Sequence, residues 1–217
     1  MKAKPLQFHK HQGHMSLVFI IGLIIFAVIS FVFFITSQKS APSLPASADR
    51  STQNDSSQVD ADAILPLSRP TEINIPSIDV RSSLITVGKN PDGTIEVPGA
   101  ADYNKAAWYR NSPTPGQLGS SIIEGHLDFI GKGPAIFFRL AELRAGDIVE
   151  VLREDGVLAK FAVDNIATYN KEEFPTNKVY GITNRPALVL ITCGGEFNGM
   201  TGEYDSNVVA FATLISS

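Results

Sequence analysis

Hydrophobic and polar positions are distributed differently in three parts of the chain. The first part contains an uninterrupted apolar run, Leu17 to Ile35, whose nineteen residues include no charged side chain. That length is close to the ~20 residues that an α-helix needs to cross ~30 Å of hydrocarbon. The run therefore predicts an N-terminal transmembrane helix over residues 16–36.

Lysines give the predicted orientation of this span. Lys2, Lys4 and Lys10 precede it, and only Lys39 follows closely. Because positively charged flanks stay in the cytoplasm, we expect residues 1–15 to be cytoplasmic and the remainder to be extracellular, in a type II single-pass protein of the cell membrane. A cleaved signal peptide is the alternative, since residues 46–48 read Ala-Ser-Ala, but the apolar run exceeds the ~7–15 residues of a signal-peptide core.

The second part, residues 37–70, has no regular hydrophobic pattern. It is rich in Ser, Ala, Pro, Asp and Gln, and its scattered apolar residues are too few to offset the entropy of ordering the backbone. We expect a flexible extracellular tether with a root-mean-square span of about 30 Å.

In the third part, residues 71–217, short β-rich runs are separated by Gly, Pro, Asn and Asp. This spacing is typical of an all-β barrel or sandwich. The pattern predicts eight strands, namely Thr71–Ile75, Val80–Val87, Thr94–Val97, Ser121–His126, Asp147–Arg153, Leu158–Thr168, Ala187–Cys193 and Asn207–Ile215.

Two local signals refine this pattern. Asp155-Gly156 lies between the fifth and sixth runs, and it predicts a two-residue type I′ hairpin that pairs those strands antiparallel. In residues 135–143, Ile136, Leu140 and Leu143 recur at helical spacing. We therefore predict a short helix there that packs one face on the sheet.

Composition narrows the chemistry. The formal net charge is −4 and the pI is near 5.5, which argues against nucleic acid as a partner. The single cysteine, Cys193, excludes an intramolecular disulfide and a cysteine-rich zinc site, so no metal or cofactor is expected. His9, His11 and His14 precede the apolar run, which leaves His126 as the one histidine of the third part.

Cys193 and His126 are the candidates for nucleophilic chemistry. Cys193 ends an apolar run and is followed by Gly194-Gly195, which would leave room for an extended substrate and free N–H groups for an oxyanion. His126 ends another run after a glycine. If both strands end at one rim, the thiol and the imidazole can meet. The alternatives are an inert packed cysteine and a hydrogen-bonded structural histidine.

Three motifs carry a resemblance to a known family: Glu124-Gly-His-Leu-Asp128, Gly-Pro-Ala-Ile-Phe-Phe-Arg-Leu140, and Leu190-Ile-Thr-Cys-Gly-Gly195. They resemble the sortases, and most closely the class F group, over a range from about Thr71 to Ile215. The resemblance implies a closed eight-stranded β-barrel with short helices over residues 71–217. It also implies that Cys193 is the nucleophile and His126 the general acid/base.

The implied activity is that of a cysteine transpeptidase and endopeptidase of the hydrolase class. Such an enzyme cleaves a C-terminal LPxTG-like sorting signal through a thioester and transfers the protein to a cell-surface amine. The expected partners are surface proteins bearing that signal. The acceptor would be the amine of a cell-wall precursor or of a pilin lysine.

The sequence departs from the usual sortase pattern at one position. Many sortases have an arginine at the start of the last strand, where this chain has Asn207. Asn207 could donate a neutral hydrogen bond to the substrate or oxyanion, or simply begin the strand, and Arg139 or Arg185 could fold over the site instead. Thr192 could orient the site, although a β-branched strand residue is an equally good interpretation.

Other functions fit the sequence less well. A papain-like hydrolase would have its cysteine before its histidine, and an L,D-transpeptidase would have a Ser-x-Gly-Cys motif. A catalytically inactive, membrane-tethered β-barrel that only binds a ligand remains the alternative from another class, because the arginine is missing.

Overall fold

Strands with alternating inward and outward side chains are the main regular structure of the computed structural model, which describes residues 64–217. The predicted transmembrane span and most of the predicted tether lie outside these residues. Within them, no helix is long and apolar enough to cross a membrane. The strands are β1 Pro70–Ile75, β2 Val80–Val87, β3 Ala106–Tyr109, β4 Gly119–Glu124, β5 Asp128–Phe129, β6 Gly133–Pro134, β7 Ile148–Arg153, β8 Leu158–Asn170, β9 Pro186–Asn198 and β10 Glu203–Ser216.

Helical structure is short in the described residues. The α-helix α1, Thr176–Tyr180, lies between β8 and β9, and 3₁₀ turns form at Pro76–Ile78 and Leu140–Glu142.

Eight of the strands close into a barrel in the order β1-β2-β3-β4-β9-β10-β8-β7, and β7 pairs with β1. The pairs β2–β3 and β4–β9 are parallel, whereas the other barrel pairs are antiparallel. Strands β5 and β6 form a separate two-stranded sheet. The predicted closed eight-stranded β-barrel is therefore confirmed.

The side chains of the strands separate into two apolar clusters. Leu188 and Leu190 of β9 point into the barrel interior, where the larger cluster lies. The alternate residues Val189 and Ile191 belong to a smaller cluster on the outside of β4, β9 and β10. Partly buried side chains from the neighbouring chain segments pack against this outer cluster, and they include Ile95 and Phe174. One outer face of the barrel is thus covered, and it forms the floor of the cleft described below.

One predicted strand is wrong, and two others end at residues different from those predicted. Thr94–Val97 is not a barrel strand, because it makes only an isolated bridge between Lys89 and Ile95. The eighth barrel strand is Ala106–Tyr109 instead. Strand β4 ends at Glu124, so His126 lies two residues beyond it, and β9 continues past Cys193 to Asn198.

The β7–β8 hairpin is antiparallel as predicted, but its turn is not type I′. Among described non-glycine residues, only Asp79 has a positive φ, so the turn has a single left-handed residue, Gly156, at φ 83°. The Arg153 N–H donates to Val157 O at 3.0 Å, and the Gly156 N–H donates to Arg153 O at 3.0 Å. This pattern is that of a three-residue loop closed by a left-handed glycine.

The predicted helix over residues 135–143 is also wrong. The Ala135 N–H donates to Leu127 O and the Phe137 N–H donates to His126 O, at 2.9 and 3.0 Å. These bonds tie the start of the segment to the backbone around His126, and only the 3₁₀ turn Leu140–Glu142 is helical. Leu140 and Leu143 are nevertheless buried against the barrel, as the spacing predicted.

A buried arginine fixes the start of the domain. Arg153 is 2 % exposed and donates to Pro66 O and to Pro115 O, while it pairs with Asp155 at 2.7 Å. The Leu65 N–H donates to Gly116 O at 2.9 Å. Residues 64–69, which fall in the predicted tether, therefore pack on the barrel.

Candidate functional site

A cleft of about 730 Å³ opens on the covered outer face of β4, β9 and β10. One wall comes from the segment 88–98, which follows β2, and the other from the segment 171–180, which follows β8. The cleft is lined by all four residues that the sequence singled out, namely Cys193, His126, Asn207 and Thr192. The barrel thus brings together residues that are up to 81 positions apart in sequence.

Cys193 lies on the outward row of β9, in the same alternation as Val189 and Ile191. Its side chain is half-buried, and burial raises the pKa of the thiol. The positive charge of Lys171 lowers this pKa, whereas the charge of Glu124 raises it further. At neutral pH the thiol form therefore predominates over the thiolate.

The imidazole of His126 is held by a backbone carbonyl. Parallel pairing of β4 with β9 continues one residue past the strand end, where the Gly125 N–H donates to Ile191 O at 3.1 Å. His126 Nε2 lies 2.7 Å from Pro98 O, and a carbonyl only accepts, so Nε2 carries a proton. In the neutral ring, Nδ1 is then the nitrogen free to take or give a proton.

Aromatic packing supports this histidine. Its ring meets Phe129 of β5 edge-on at 5.5 Å between centroids, and Phe129 packs against Tyr103 at 5.4 Å. Lys132 lies over the Tyr103 ring at 4.1 Å and donates to Ala100 O at 2.8 Å. The β5–β6 sheet is thereby fastened to the chain that follows Pro98.

Asn207 and Thr192 occupy different faces of the sheet. In the β9–β10 pair, Asn207 lies directly opposite Cys193, and Thr192 lies opposite Val208, a residue of the interior cluster. Asn207 therefore neighbours the thiol on the outer face. The Thr192 hydroxyl is buried and has no hydrogen-bond partner among the described residues. By strand alternation, its side chain is on the barrel side.

Neither of the two arginines considered above lines the cleft. Arg139 pairs with Asp79 and with Glu142. Arg185 precedes β9, eight residues before Cys193, which is about 26 Å along an extended strand. Its guanidinium lies 3.9 Å from Asp164.

The two glycines after Cys193 have a packing role. A Cβ on Gly194 would lie 2.7 Å from Val208 Cγ2. Gly195 has φ 80°, and a Cβ there would lie 2.0 Å from Asp205 Oδ1. The register of β9 and β10 shifts at this point. Both glycines are therefore required, because β10 approaches closely at Gly194 and the backbone is left-handed at Gly195. The sequence analysis interpreted them only as open space for substrate and did not predict this packing role.

Sequence reasoning missed a cation in the cleft. Lys171 lies one residue past β8, and its backbone N–H donates to Asp205 O at 2.9 Å. Its side chain lines the cleft with Cys193, and its ammonium is 4.0 Å from the Glu203 carboxylate. Nothing in the local sequence around Lys171 marks it, because its position depends on the β8–β10 register.

A buried carboxyl was also missed. Glu124 ends β4, is partly buried and lines the cleft, and its Oε1 is buried with no hydrogen-bond partner among the described residues. Burial raises the pKa of Glu124 to about 8. Tyr109 and Tyr180 line the cleft beside it, and burial raises the pKa of Tyr180 to about 12, with the charge of Glu124 adding to this effect. At pH 7 this carboxyl is mostly uncharged.

Together these groups form a site suited to acyl transfer. A thiol can form a covalent acyl intermediate, and an imidazole with one free nitrogen can carry a proton to or from the reacting group. A neutral amide and an ammonium group lie on the same cleft and can stabilise negative charge there.

Comparison with known proteins agrees with this geometry. A family model described as "Sortase domain" matches residues 73–215. No curated protein matches the chain.

Several solved structures are similar in fold. A lid mutant of sortase A from Corynebacterium diphtheriae is 19 % identical with a TM-score of 0.52, and the match covers 69 % of this chain and 72 % of that one. A sortase D5 transpeptidase of Clostridium perfringens is 18 % identical with a TM-score of 0.50, and the match covers 69 % of this chain and 79 % of that one. Sortase C1 of Streptococcus agalactiae is 17 % identical with a TM-score of 0.52, and the match covers 68 % of this chain and 67 % of that one. At these identities the likeness concerns the fold.

Proposed function

The chain belongs to the sortase family, and from that premise we propose that it is a cysteine transpeptidase that acts on a C-terminal LPxTG-like sorting signal. One observation carries this proposal. The single cysteine of the chain and the single histidine of its described part line the same cleft, although 67 positions separate them. Packing roles alone would not require the two residues to lie in the same cleft.

In the first half-reaction, Cys193 Sγ gives its proton to His126 and, as the thiolate, attacks the carbonyl carbon of the threonine-like residue of the sorting signal. The peptide C–N bond breaks, and His126 in its protonated form gives a proton to the leaving amine. The acyl group remains on Sγ as a thioester. Because Pro98 O accepts from Nε2, the proton that moves is the one on Nδ1.

In the second half-reaction, an amine on the cell surface attacks the thioester carbon. A C–N bond forms as the amine gives a proton to His126, the C–S bond breaks, and Sγ leaves as a thiolate that His126 can protonate. Water can replace the amine and would release a free carboxylate instead. This reaction with water is the hydrolase activity that the chemistry permits.

The oxyanion of each step needs a donor beside Cys193. Asn207 is the nearest side-chain candidate in the sheet register, since it is the direct partner of Cys193 across β9 and β10. A neutral donor in such a position contributes a factor of about 10²–10³ to kcat. Thr192 would act only by orienting the backbone before Cys193, because its side chain is on the barrel side.

The class and the location of the enzyme are part of the proposal. The motif resemblance supports class F. The apolar run over residues 16–36 and its lysine flanks support a type II membrane anchor with an extracellular catalytic domain. The partners are then surface proteins that carry the sorting signal, and the acceptor is a wall-precursor or pilin amine.

Substitution of the two proposed catalytic residues tests the function. We expect Cys193→Ala to abolish both cleavage and transfer of an LPxTG-like peptide, with His126→Ala nearly as severe, because losing a covalent nucleophile costs several orders of magnitude in rate. Mass spectrometry of products made with triglycine as the acceptor measures both activities, and thermal melting checks folding.

Two results would contradict the mechanism. If Cys193→Ala kept more than about a tenth of wild-type turnover, no thioester could lie on the pathway. If the wild-type protein neither reacted with a methanethiosulfonate probe at neutral pH nor cleaved any of a set of LPxTG-like peptides, the chain would be an inactive ligand-binding barrel.

A further inference from the structure

The carboxyl of Glu124 is not used by the two half-reactions as written. Its Oε1 is buried with no hydrogen-bond partner among residues 64–217, in the same cleft as Cys193 and His126. A buried polar group without a partner is costly to fold around. Such a group in a reaction cleft calls for a ligand that would complete its hydrogen bonds.

Glu124 lies along the groove from the thiol. Strand β4 pairs in parallel with β9 so that Glu124 is opposite Ile191, two residues before Cys193. Tyr109 of β3 and Tyr180 of α1 line the cleft at the same end. Apart from the proposed catalytic pair and Glu124, the titratable side chains of the cleft are Lys89, Tyr109, Lys171, Tyr180 and Glu203.

A buried carboxyl group with two phenol rings in the same cleft complements a primary amine. An ammonium group donates strong hydrogen bonds to a carboxylate and is attracted to aromatic faces. The second substrate of the proposed reaction is such a group. At neutral pH it arrives protonated, and an ammonium nitrogen has no lone pair with which to attack a thioester.

We propose that Glu124 receives the acceptor amine in the cleft and removes its proton before it attacks the thioester on Cys193. This inference rests on the proposed function. The ammonium gives one proton to the Glu124 carboxylate, which becomes a carboxylic acid, and the neutral amine attacks the thioester carbon. As the C–N bond forms, a second proton passes from nitrogen to His126, and the electrons of the broken C–S bond stay on Sγ. Glu124 afterwards releases its proton to water.

Burial raises the pKa of the Glu124 carboxyl to about 8. The carboxylate that takes the proton is therefore the minor form at pH 7 and the major form above about pH 8.

The test compares Glu124→Gln with Glu173→Gln in the purified full-length chain. Glu173 is exposed on the 171–180 wall and does not line the cleft, so its variant controls for the loss of a carboxylate nearby. Thioester formation on an LPxTG-like peptide is followed by mass spectrometry, and transfer is followed with triglycine and with Nα-acetyl-lysine as acceptors.

We expect Glu124→Gln to lower kcat/KM for triglycine about 10- to 100-fold more than it lowers the rate of thioester formation, with Glu173→Gln like wild type. Glu124→Asp, which keeps a proton acceptor, should retain more transfer than Glu124→Gln. Equal losses in both steps, or no loss of transfer in a folded variant, would overturn the role of Glu124. Absence of any thioester in the wild-type protein would instead overturn the proposed function, and the role of Glu124 with it.

Discussion

Lys171 offers a direct test of how the cleft tunes its thiol. Burial raises the pKa of Cys193, and the charge of Lys171 is the largest influence that opposes this rise. Lys171→Met removes the charge and keeps most of the apolar stem. Because a nearby cation favours the thiolate over the thiol, we expect the variant to have a higher thiol pKa than the wild-type protein.

The magnitude follows from the position of the ammonium group. The Lys171 side chain is 34 % exposed, so water partly screens its charge. Pairs of charges at exposed positions typically interact by about 0.2–1 kcal/mol. At its upper end this energy corresponds to a kcat/KM about 5-fold lower in the variant at pH values below the thiol pKa.

The assay is the pH dependence of kcat/KM for cleavage of an LPxTG-like peptide, which reports on ionisations of the free enzyme. The limb that rises with pH should move to higher pH in Lys171→Met, while the rates of variant and wild type converge once both thiols are ionised. Lys171→Arg should resemble wild type. Lys178→Met is the matched control, because Lys178 is on the same wall but lies over the Tyr169 ring, outside the cleft.

One outcome would refute this reasoning. If Lys171→Met lost the same fraction of activity at every pH, Lys171 would not act on the thiol pKa. The loss would then point to direct stabilisation of the oxyanion, a role that pH does not restore.

Three further predictions concern Asn207, the buried Arg153 and its ion pair with Asp155. Asn207→Ala should lower kcat/KM by roughly 10- to 1,000-fold, whereas Arg139→Ala and Arg185→Ala should stay near wild type in the same peptide assay; a larger loss in either arginine variant would contradict the assignment of Asn207. Arg153→Met leaves the carbonyls of Pro66 and Pro115 without their donor. We expect the free energy of unfolding to fall by about 2–4 kcal/mol and the melting midpoint by about 5–15 °C. Calorimetry measures the midpoint, and an unchanged value would refute the role of Arg153. Arg153 also lowers the pKa of Asp155 to about 2 from 3.8, so the stabilisation from this pair should be complete above about pH 4 and decline as the pH falls towards 2.

Alternation along the chain predicted seven of the eight barrel strands, because each has enough residues to show a period of two. Strand β3 was missed since it has only four residues, and three of them are buried. Thr94–Val97 has a strand-like composition for another reason. Ile95 packs on the outer cluster as part of a cleft wall. A segment that only covers a sheet can have the same composition as a strand that pairs with it, so composition alone does not separate the two.

The residues of the candidate site also fall into two groups, those that the sequence could predict and those that it could not. Cys193 and His126 could be predicted because each is a rare residue type in a recognisable motif. The roles of Lys171 and Glu124 could not be predicted. Lys171 is in no motif, and although Glu124 begins the motif that contains His126, a carboxyl in a motif does not by itself predict burial. Their place in the cleft depends on the register of β8 with β10 and on the covering of the outer face by segments distant in sequence. Such information exists only in the tertiary structure.

The parallel pairing of β4 with β9 has a consequence for folding. Glu124 and Ile191 pair across 67 positions, and β7, β8 and α1 all lie between them in the chain. Contacts of such long range close late and slowly, because the entropy of a large loop must be overcome first. Cys193 and His126 therefore remain apart in every partly folded form that lacks this pairing. A chain that has not yet formed this pairing carries an ordinary thiol, and reactivity begins only when β4 and β9 are paired.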